Sequence, residues 1–380
     1  MTDATTTPLA ELTTIRVGGV PRRLVAADTR DGLIEAVLDA RDSGEDWFLL
    51  GGGSNTVASD DGFDGTVIHV RTRGVERLDA PDGRIRLRVQ AGEPWDELVA
   101  LTVSNGWSGV EALSGIPGST GAAPVQNIGA YGQEIESALV GVEFLDDATG
   151  AVEYLTRGEL GLGYRTSVLK RGRRGVVLTV DLELADNTVP GGIAAPLSAP
   201  VAYAQLADAL GVSLGSRVPV AELRRAVLAL RSSKGMVLDP ADPDSVSSGS
   251  FFTNPIVSES FARTLPASAP RWPQQPAEPD TVIELPPGGL HPLDVPSLPA
   301  QEYTVKLSAA WLIEHAGIRR GFTLPGSGAA ISSKHTLAIV NRGGATADDV
   351  VQLASFIQSR VQAEFGVVLQ PEPVLVDLAI

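Results

Sequence analysis

Two spacings of apolar residues run through the first half of this chain. RRLVAAD (22–28) reads as a strand, while TVIHVRT (66–72) and RIRLRVQAG (84–92) alternate like strands with one wet face. Helical spacing governs TRDGLIEAVLDARDSG (29–44), which predicts an amphipathic helix closed by Gly44. EPWDELVALTVSNGW (93–107) predicts another, with Leu98, Val99 and Leu101 available for a core. DWFLLGGGSN (46–55) is a buried strand running into a glycine turn. Further strands are expected in LVGVEFLD (139–146), VEYLT (152–156) and GVVLTVDLELA (175–185). The result is one glycine-rich α+β region reaching about residue 186.

DNTVPGGIAAPLSAPV (186–201) breaks the pattern and marks a junction. Helices follow in VAYAQLADALG (201–211) and PVAELRRAVLALRSSKG (219–235). A Pro-rich stretch, 265–300, suits neither a regular helix nor a central strand and reads as an insertion loop. Beyond it lie the helix SAAWLIEHAG (308–317), the strand TLAIVN (336–341), the helix ATADDVVQLASFIQSRVQAEFG (345–366) and a last strand in LQPEPVLVDL (369–378). No internal repeat is visible.

Composition narrows the function classes. At 380 residues two or three domains are expected. A net charge of −16 argues against nucleic acid as a partner, because that binding rests on Lys and Arg neutralising phosphates. It leaves room for a small anionic ligand held by a few cations and backbone donors. With no cysteine, disulfides, thiolate zinc sites and cysteine nucleophiles are excluded. The four histidines (His69, His291, His315, His335) show no metal-ligand spacing, so no metal is expected. No apolar run approaches the roughly 20 residues of a membrane span. The N-terminal MTDATTTPLAEL lacks a basic and an apolar signal region, so the expected location is cytoplasmic.

Candidate chemistry gathers in two glycine-rich stretches. LLGGGSNTV (49–57) ends a strand in three glycines, offering successive backbone N–H groups, with Ser54 and Asn55 adding side-chain donors. It is neither G-x-G-x-x-G nor a P-loop, and a tight turn would explain it equally well. GIPGSTGAAPVQNIGAYG (115–132) offers a second such surface, with Gln126 and Asn127 able to bond a heterocycle edge; a purely structural loop is the alternative. Two donor loops in one region suit a long ligand with a phosphate middle and a flat end, the shape of a dinucleotide. Isolated polar residues stand in GYRTSVLK (163–170), RSSKG (231–235), GSFFTNP (249–255) and LQPEPVLV (369–376), and at Lys306. Singly, each of these has an ordinary structural explanation.

Together, and in this order, these segments resemble the UDP-N-acetylenolpyruvoylglucosamine reductase (MurB) family. The match runs through TTIRVGG, GGGSN, GEPWDELV, GVEALSGIPGSTGAAPVQNIGAYG, YRTSVLK, GSFFTNP, KLSAAWLIEHAG and LQPEPVLV, nearly the whole chain. The resemblance implies an α+β fold: a two-subdomain FAD-binding fold of the vanillyl-alcohol-oxidase type, then a smaller α/β substrate-binding domain. It implies FAD-binding subdomains at 1–70 and 71–186, a junction with a Tyr-bearing loop at 187–218, and a substrate domain at 219–380.

By the same resemblance Leu50, Gly51, Gly52, Gly53, Ser54, Asn55 and Thr56 form the first FAD loop. Gly115, Ile116, Pro117, Gly118, Ser119, Thr120 and Gly121, with Gln126, Asn127, Gly129, Ala130 and Tyr131, form the second, Asn127 and Tyr131 fixing its shape. The implied reaction reduces UDP-N-acetylglucosamine enolpyruvate to UDP-N-acetylmuramate for peptidoglycan synthesis. NADPH gives a hydride to flavin N5, which passes it to C3 of the enolpyruvyl ether; Ser250 protonates C2. Arg165 pairs with the substrate carboxylate. Glu372 matches the family's catalytic glutamate, either polarising the enolate in protonated form or holding Arg165 or water. Tyr164, Tyr203, Arg231, Lys234, Asn254 and Lys306 match substrate contacts. Non-covalent FAD is expected, since neither loop carries His or Cys, and the family implies a monomer. The same-class alternative is another FAD-dependent oxidoreductase on this fold; a non-catalytic nucleotide-binding protein would be expected to lack one of the three catalytic matches. Two positions depart from the family pattern: Thr253 and Val374 stand where relatives often carry lysine and arginine.

Overall fold

The computed structural model describes residues 6–188, 195–274 and 303–380. Near the N-terminus the strand Phe63–Val70 lies between Pro21–Ala27 and Trp47–Leu50, all three parallel. Parallel neighbours need a crossover. Helix Arg30–Ser43 supplies the one that joins the two outer strands, burying Leu33, Ala36, Val37 and Ala40 at helical spacing. Thr29 caps this helix by accepting from the Gly32 N–H, and Gly44 ends it at φ 69°. Strand Trp47–Leu50 therefore delivers residues 51–55 to one end of the sheet.

The second sheet is antiparallel, ordered Val152–Thr156, Leu139–Asp146, Gly175–Asp186, Arg84–Gln90, Val75–Leu78. Arg84–Gln90 buries Ile85, Leu87 and Val89 while Arg84, Arg86 and Arg88 face outward, as its alternation requires. Helix Trp95–Ser104 packs Trp95, Leu98 and Val99 into the same core. Leu101, which the pattern offered to that core, is exposed on the far side.

The C-terminal region joins small sheets to the 19-residue helix Ala347–Phe365, whose Thr346 and Asp349 form a reciprocal capping box. Ser247–Ser250, Ala338–Asn341 and Ala329–Ile331 make one three-stranded sheet. A second has Ile256–Ser258, Thr304–Leu307 and Arg271–Pro273, with Pro273 on an edge, where a missing N–H costs nothing. Most of the expected Pro-rich insertion, 275–300, lies outside the described residues, as do 189–194 of the expected junction. Helices Ala204–Leu210 and Val220–Ser232 share a small core of their own around Leu206, Leu223 and Val227.

Two crossings tie the chain's ends together. Ile15, Val17 and Val57 are buried in the same core as Phe251, Leu312 and Leu353. Val374–Val376 pairs in parallel with Thr56–Ala58, beside the first glycine stretch. Only those three residues of the expected last strand are extended in a ladder. Pro371 and Pro373 interrupt its N-terminal half, where Phe252 bridges Pro371 instead.

Candidate active site

The two glycine stretches meet. A Cβ on Gly52 would stand 2.7 Å from Gly118 Cα, and one on Gly51 would collide with the Ser119 side chain. Ser54 Oγ donates to the Pro117 carbonyl at 2.9 Å. Part of the glycine content thus serves loop-to-loop approach, and the Ser54 hydroxyl is engaged within the protein. The backbone N–H groups of Gly52, Gly53, Ser54 and Asn55, and those of Gly118 and Ser119, meet no protein acceptor among the described residues. Free donors clustered on close-packed turns make an anion-binding surface.

That surface opens into a cavity of about 650 Å³, within the usual size of a cofactor or ligand site, roughly 300–1,000 Å³. From the expected FAD loops its wall takes Gly51–Thr56, Ile116–Ser119, Gly121, Gln126 and Gly129. Leu50, Gly115, Thr120, Asn127, Ala130 and Tyr131 stand outside the wall. Leu50 is core, and the Thr120 hydroxyl bonds the Glu93 carbonyl. Asn127 is fully buried at φ 47°. Its amide donates to Glu134 Oε2 and the Gly163 carbonyl, and its Oδ1 accepts from the Glu136 N–H. These bonds use up the side chain within the protein, so that of Gln126 and Asn127 only Gln126 faces the cavity.

Arg165, Ser250 and Glu372 line this same cavity. Arg165 sits at φ 51°, a left-handed conformation that costs a non-glycine residue about 1–3 kcal/mol and is tolerated where the surroundings fix it. Its Nη2 and Nη1 donate to the carbonyls of Gly129 and Asn127, at 2.9 and 3.3 Å. Its Nε lies 3.2 Å from Glu372 Oε1. Glu372 in turn is placed by a strip of main-chain bonds: its N–H donates to the Phe251 carbonyl, and its own carbonyl accepts from Asn55 Nδ2 and Lys170 Nζ. Burial raises the Glu372 carboxyl above the usual carboxylate range, although Arg165 and Lys170 pull it down.

Ser250 ends the strand Ser247–Ser250. A register shift against Ala338–Asn341, with Gly249 at φ 79°, re-aims the chain at that point. Phe251 and Phe252, both buried, anchor the segment that follows. Ser250 Oγ stands 3.4 Å from His335 Nε2.

The expected substrate contacts fall in two groups. Lys306 Nζ lies 4.6 Å from the Tyr164 ring centre and Arg165 Cζ 5.6 Å from it; the Tyr164 hydroxyl accepts from the Asn254 N–H. Tyr164 and Asn254 line the cavity, with Lys306 just outside. The second group is Tyr203, Lys234 and Arg231, beside Tyr131 of the second glycine loop; Tyr203 and Lys234 stand outside the cavity wall. The two tyrosine rings meet edge to face at 5.7 Å, and Lys234 Nζ stands over Tyr131. Arg231 lines the cavity almost fully buried, and its Nε has no protein partner among the described residues. Its Nη2 donates to the Met236 carbonyl at 2.8 Å, so the buried Nε–H is the donor left for an acceptor.

Two residues that sequence reasoning left without a role belong here. Lys170 reaches Gln126 Oε1 and the Glu372 carbonyl, which puts a cation on the same cavity wall as Val374. His335 stands behind Ser250. Nothing in SSKH marks it, because the contact joins residues 85 positions apart.

The comparisons with known proteins agree over both halves of the chain. Residues 21–156 match the family model described as FAD binding domain. Residues 240–376 match the model described as UDP-N-acetylenolpyruvoylglucosamine reductase, C-terminal domain. A protein of Leifsonia xyli named UDP-N-acetylenolpyruvoylglucosamine reductase is 74% identical, with 98% of each chain covered. One of the same name from Salinispora arenicola is 48% identical over 98% of this chain and 95% of its own. The crystal structure of the MurB enzyme of Thermus caldophilus superposes with a TM-score of 0.59 at 26% identity, covering 97% of both chains. The α+β reading and the FAD-binding domain stand, and the chain belongs to the UDP-N-acetylenolpyruvoylglucosamine reductase family.

Proposed function

We propose that this chain reduces UDP-N-acetylglucosamine enolpyruvate to UDP-N-acetylmuramate, with NADPH as hydride donor and non-covalent FAD. The observation that carries the reading is convergence. Arg165, Ser250 and Glu372, from three distant segments, line one cavity with two loops of unengaged backbone donors. Those donors suit a pyrophosphate, and neither His nor Cys lines the cavity among the described residues. Bound FAD supplies hydride chemistry, accepting from a nicotinamide and giving to carbon.

The chain's own residues supply the rest. Three of the five guanidinium donors of Arg165 are held by Glu372, Asn127 and Gly129, which leaves two for the substrate carboxylate. Addition of hydride at C3 leaves negative charge at C2, delocalised into that carboxylate, and the fixed guanidinium stabilises it as it develops. Ser250 then gives its hydroxyl proton to C2. A hydroxyl is a weak acid in water, but it serves a basic carbon in a closed site. Glu372 holds Arg165 in register. Lys306, Tyr164 and Asn254 in one cluster, and Lys234, Arg231 and Tyr203 in the other, bind the diphosphate and sugar. A nucleotide-sugar substrate and a reduced nicotinamide donor make the cytoplasm the site of action.

The test is product analysis. Purified protein with NADPH and the enolpyruvyl substrate is expected to yield a nucleotide sugar heavier by two hydrogens. NADPH oxidised only by oxygen, with the substrate recovered intact, would discard this substrate.

A further inference from the structure

We infer that His335 is a positioning residue for the proton transfer: its Nε2–H donates to Ser250 Oγ, so that the serine's own hydrogen stays free for C2. The inference rests on the assignment of Ser250 as proton donor.

The geometry is built, not incidental. Strands Ser247–Ser250 and Ala338–Asn341 pair with Ser250 opposite Ala338, and the Phe251 N–H donates to the Leu337 carbonyl at 2.7 Å. The turn that carries His335 is pinned on the other side. Ser332 Oγ, fully buried, accepts from the N–H groups of both Lys334 and His335. Asp244 accepts from the N–H and hydroxyl of Ser333, and Lys334 pairs with Asp242 at 2.8 Å. The ring is thereby held 3.4 Å from Ser250 Oγ while it stays off the cavity wall that Ser250 lines.

Which hydrogen occupies that contact decides what Ser250 can do. A ring protonated only at Nδ1 would accept the serine hydrogen and turn it away from the substrate. A ring protonated at Nε2 donates to Oγ, and the serine hydrogen must then point elsewhere. As the Ser250 O–H bond breaks and the C–H bond at C2 forms, the electron pair that held the proton remains on Oγ. The Nε2–H bond steadies that negative oxygen, as an oxyanion donor does. Solvent returns the proton to Oγ after product leaves. Burial, with Lys234, Arg320 and Arg231 nearby, lowers the ring to about 4 against the opposing Glu314, so it is neutral at working pH. A neutral ring carries one N–H, and the two tautomers are thus real alternatives.

Two measurements decide it. The first is the nitrogen resonance of His335 in the wild-type holoenzyme labelled with ¹⁵N-histidine, assigned by its loss in His335→Gln. A protonated Nε2 is expected; a bare Nε2 facing Ser250 overturns the inference. The second compares half-reactions in His335→Leu, which removes the donor, and His335→Gln, which sets an amide N–H near the place of Nε2. Reduction of the flavin by NADPH is expected to be unchanged in both. Reoxidation by the enolpyruvyl substrate should fall about 10²-fold in His335→Leu, with a larger solvent deuterium effect, and recover most of its rate in His335→Gln. Equal losses in both half-reactions would mean a merely structural role and also overturn it. Ser250→Ala separates the two readings. Normal reoxidation there removes Ser250 itself, whereas slow Ser250→Ala beside normal His335→Leu removes only the part given to His335.

Discussion

Arg165 and Glu372 form a partly buried ion pair at 3.2 Å, on the wall of the cavity that both glycine loops enter. Each member is fixed independently: Arg165 by the carbonyls of Asn127 and Gly129, Glu372 by the Phe251 carbonyl and by Asn55. The pair therefore couples the second glycine loop to the C-terminal segment. Arg165→Ala is expected to slow flavin reoxidation by the enolpyruvyl substrate by about 10²–10³-fold, with NADPH-dependent reduction nearly unchanged. Stopped-flow absorbance of each half-reaction checks this. Equal losses in both steps would mean that Arg165 serves the cofactor and not the substrate.

The Glu372 carboxyl is raised by burial, which fixes the sign of a pH effect. With a folded pKa above the unfolded one, the native state binds the extra proton. Stability from this group is then full below the ordinary Glu value, about 4.3, and is lost as pH rises through the raised folded value. Glu372→Gln cannot ionise and is expected to flatten that part of the decline. Urea unfolding of the holoenzyme across pH, wild type against Glu372→Gln, measures it. A decline of the same slope in both would show that Glu372 titrates normally.

Gly52 has no room for a side chain, since a Cβ would meet Gly118 Cα at 2.7 Å. Gly52→Ala should force the loops apart at a cost of about 1–3 kcal/mol and weaken FAD retention. Flavin lost on gel filtration, together with the unfolding midpoint, reports both. A variant that keeps flavin and stability would show that the loops yield without cost.

Lys306 leans on the Tyr164 ring at the edge of the cavity. Lys306→Met is expected to raise KM for the enolpyruvyl substrate roughly tenfold, the weight of one charge-assisted hydrogen bond, and to leave flavin reduction unchanged. A KM shift for NADPH alone would assign Lys306 to the nicotinamide donor instead.

Much of this architecture was legible in the chain. The strands Leu139–Asp146 and Val152–Thr156 fall where the apolar pattern put them, and Thr29 and Gly44 bound their helix as cap residues should. The strand Ala329–Ile331 was not legible, because SGAAISS is built of small residues whose burial comes from the long helix above it. LQPEP read as strand from its apolar flanks, but its two prolines leave only Val374–Val376 to pair. At the site, the glycines announced close approach without saying to what. Half of the answer is each other. Asn127 looked like a ring contact, yet its bonds run to Glu134, Gly163 and Glu136. Contacts such as Ser250–His335 and Lys170–Glu372 join segments far apart in the chain, which local sequence does not encode.

The most direct test of the proposed function is one anaerobic titration. The protein, loaded with FAD, receives NADPH and then UDP-N-acetylglucosamine enolpyruvate while the visible flavin band is followed. Bleaching by the first addition and full recovery with the second are expected. Bleaching without recovery would contradict the proposed substrate, and no bleaching would contradict the proposed donor.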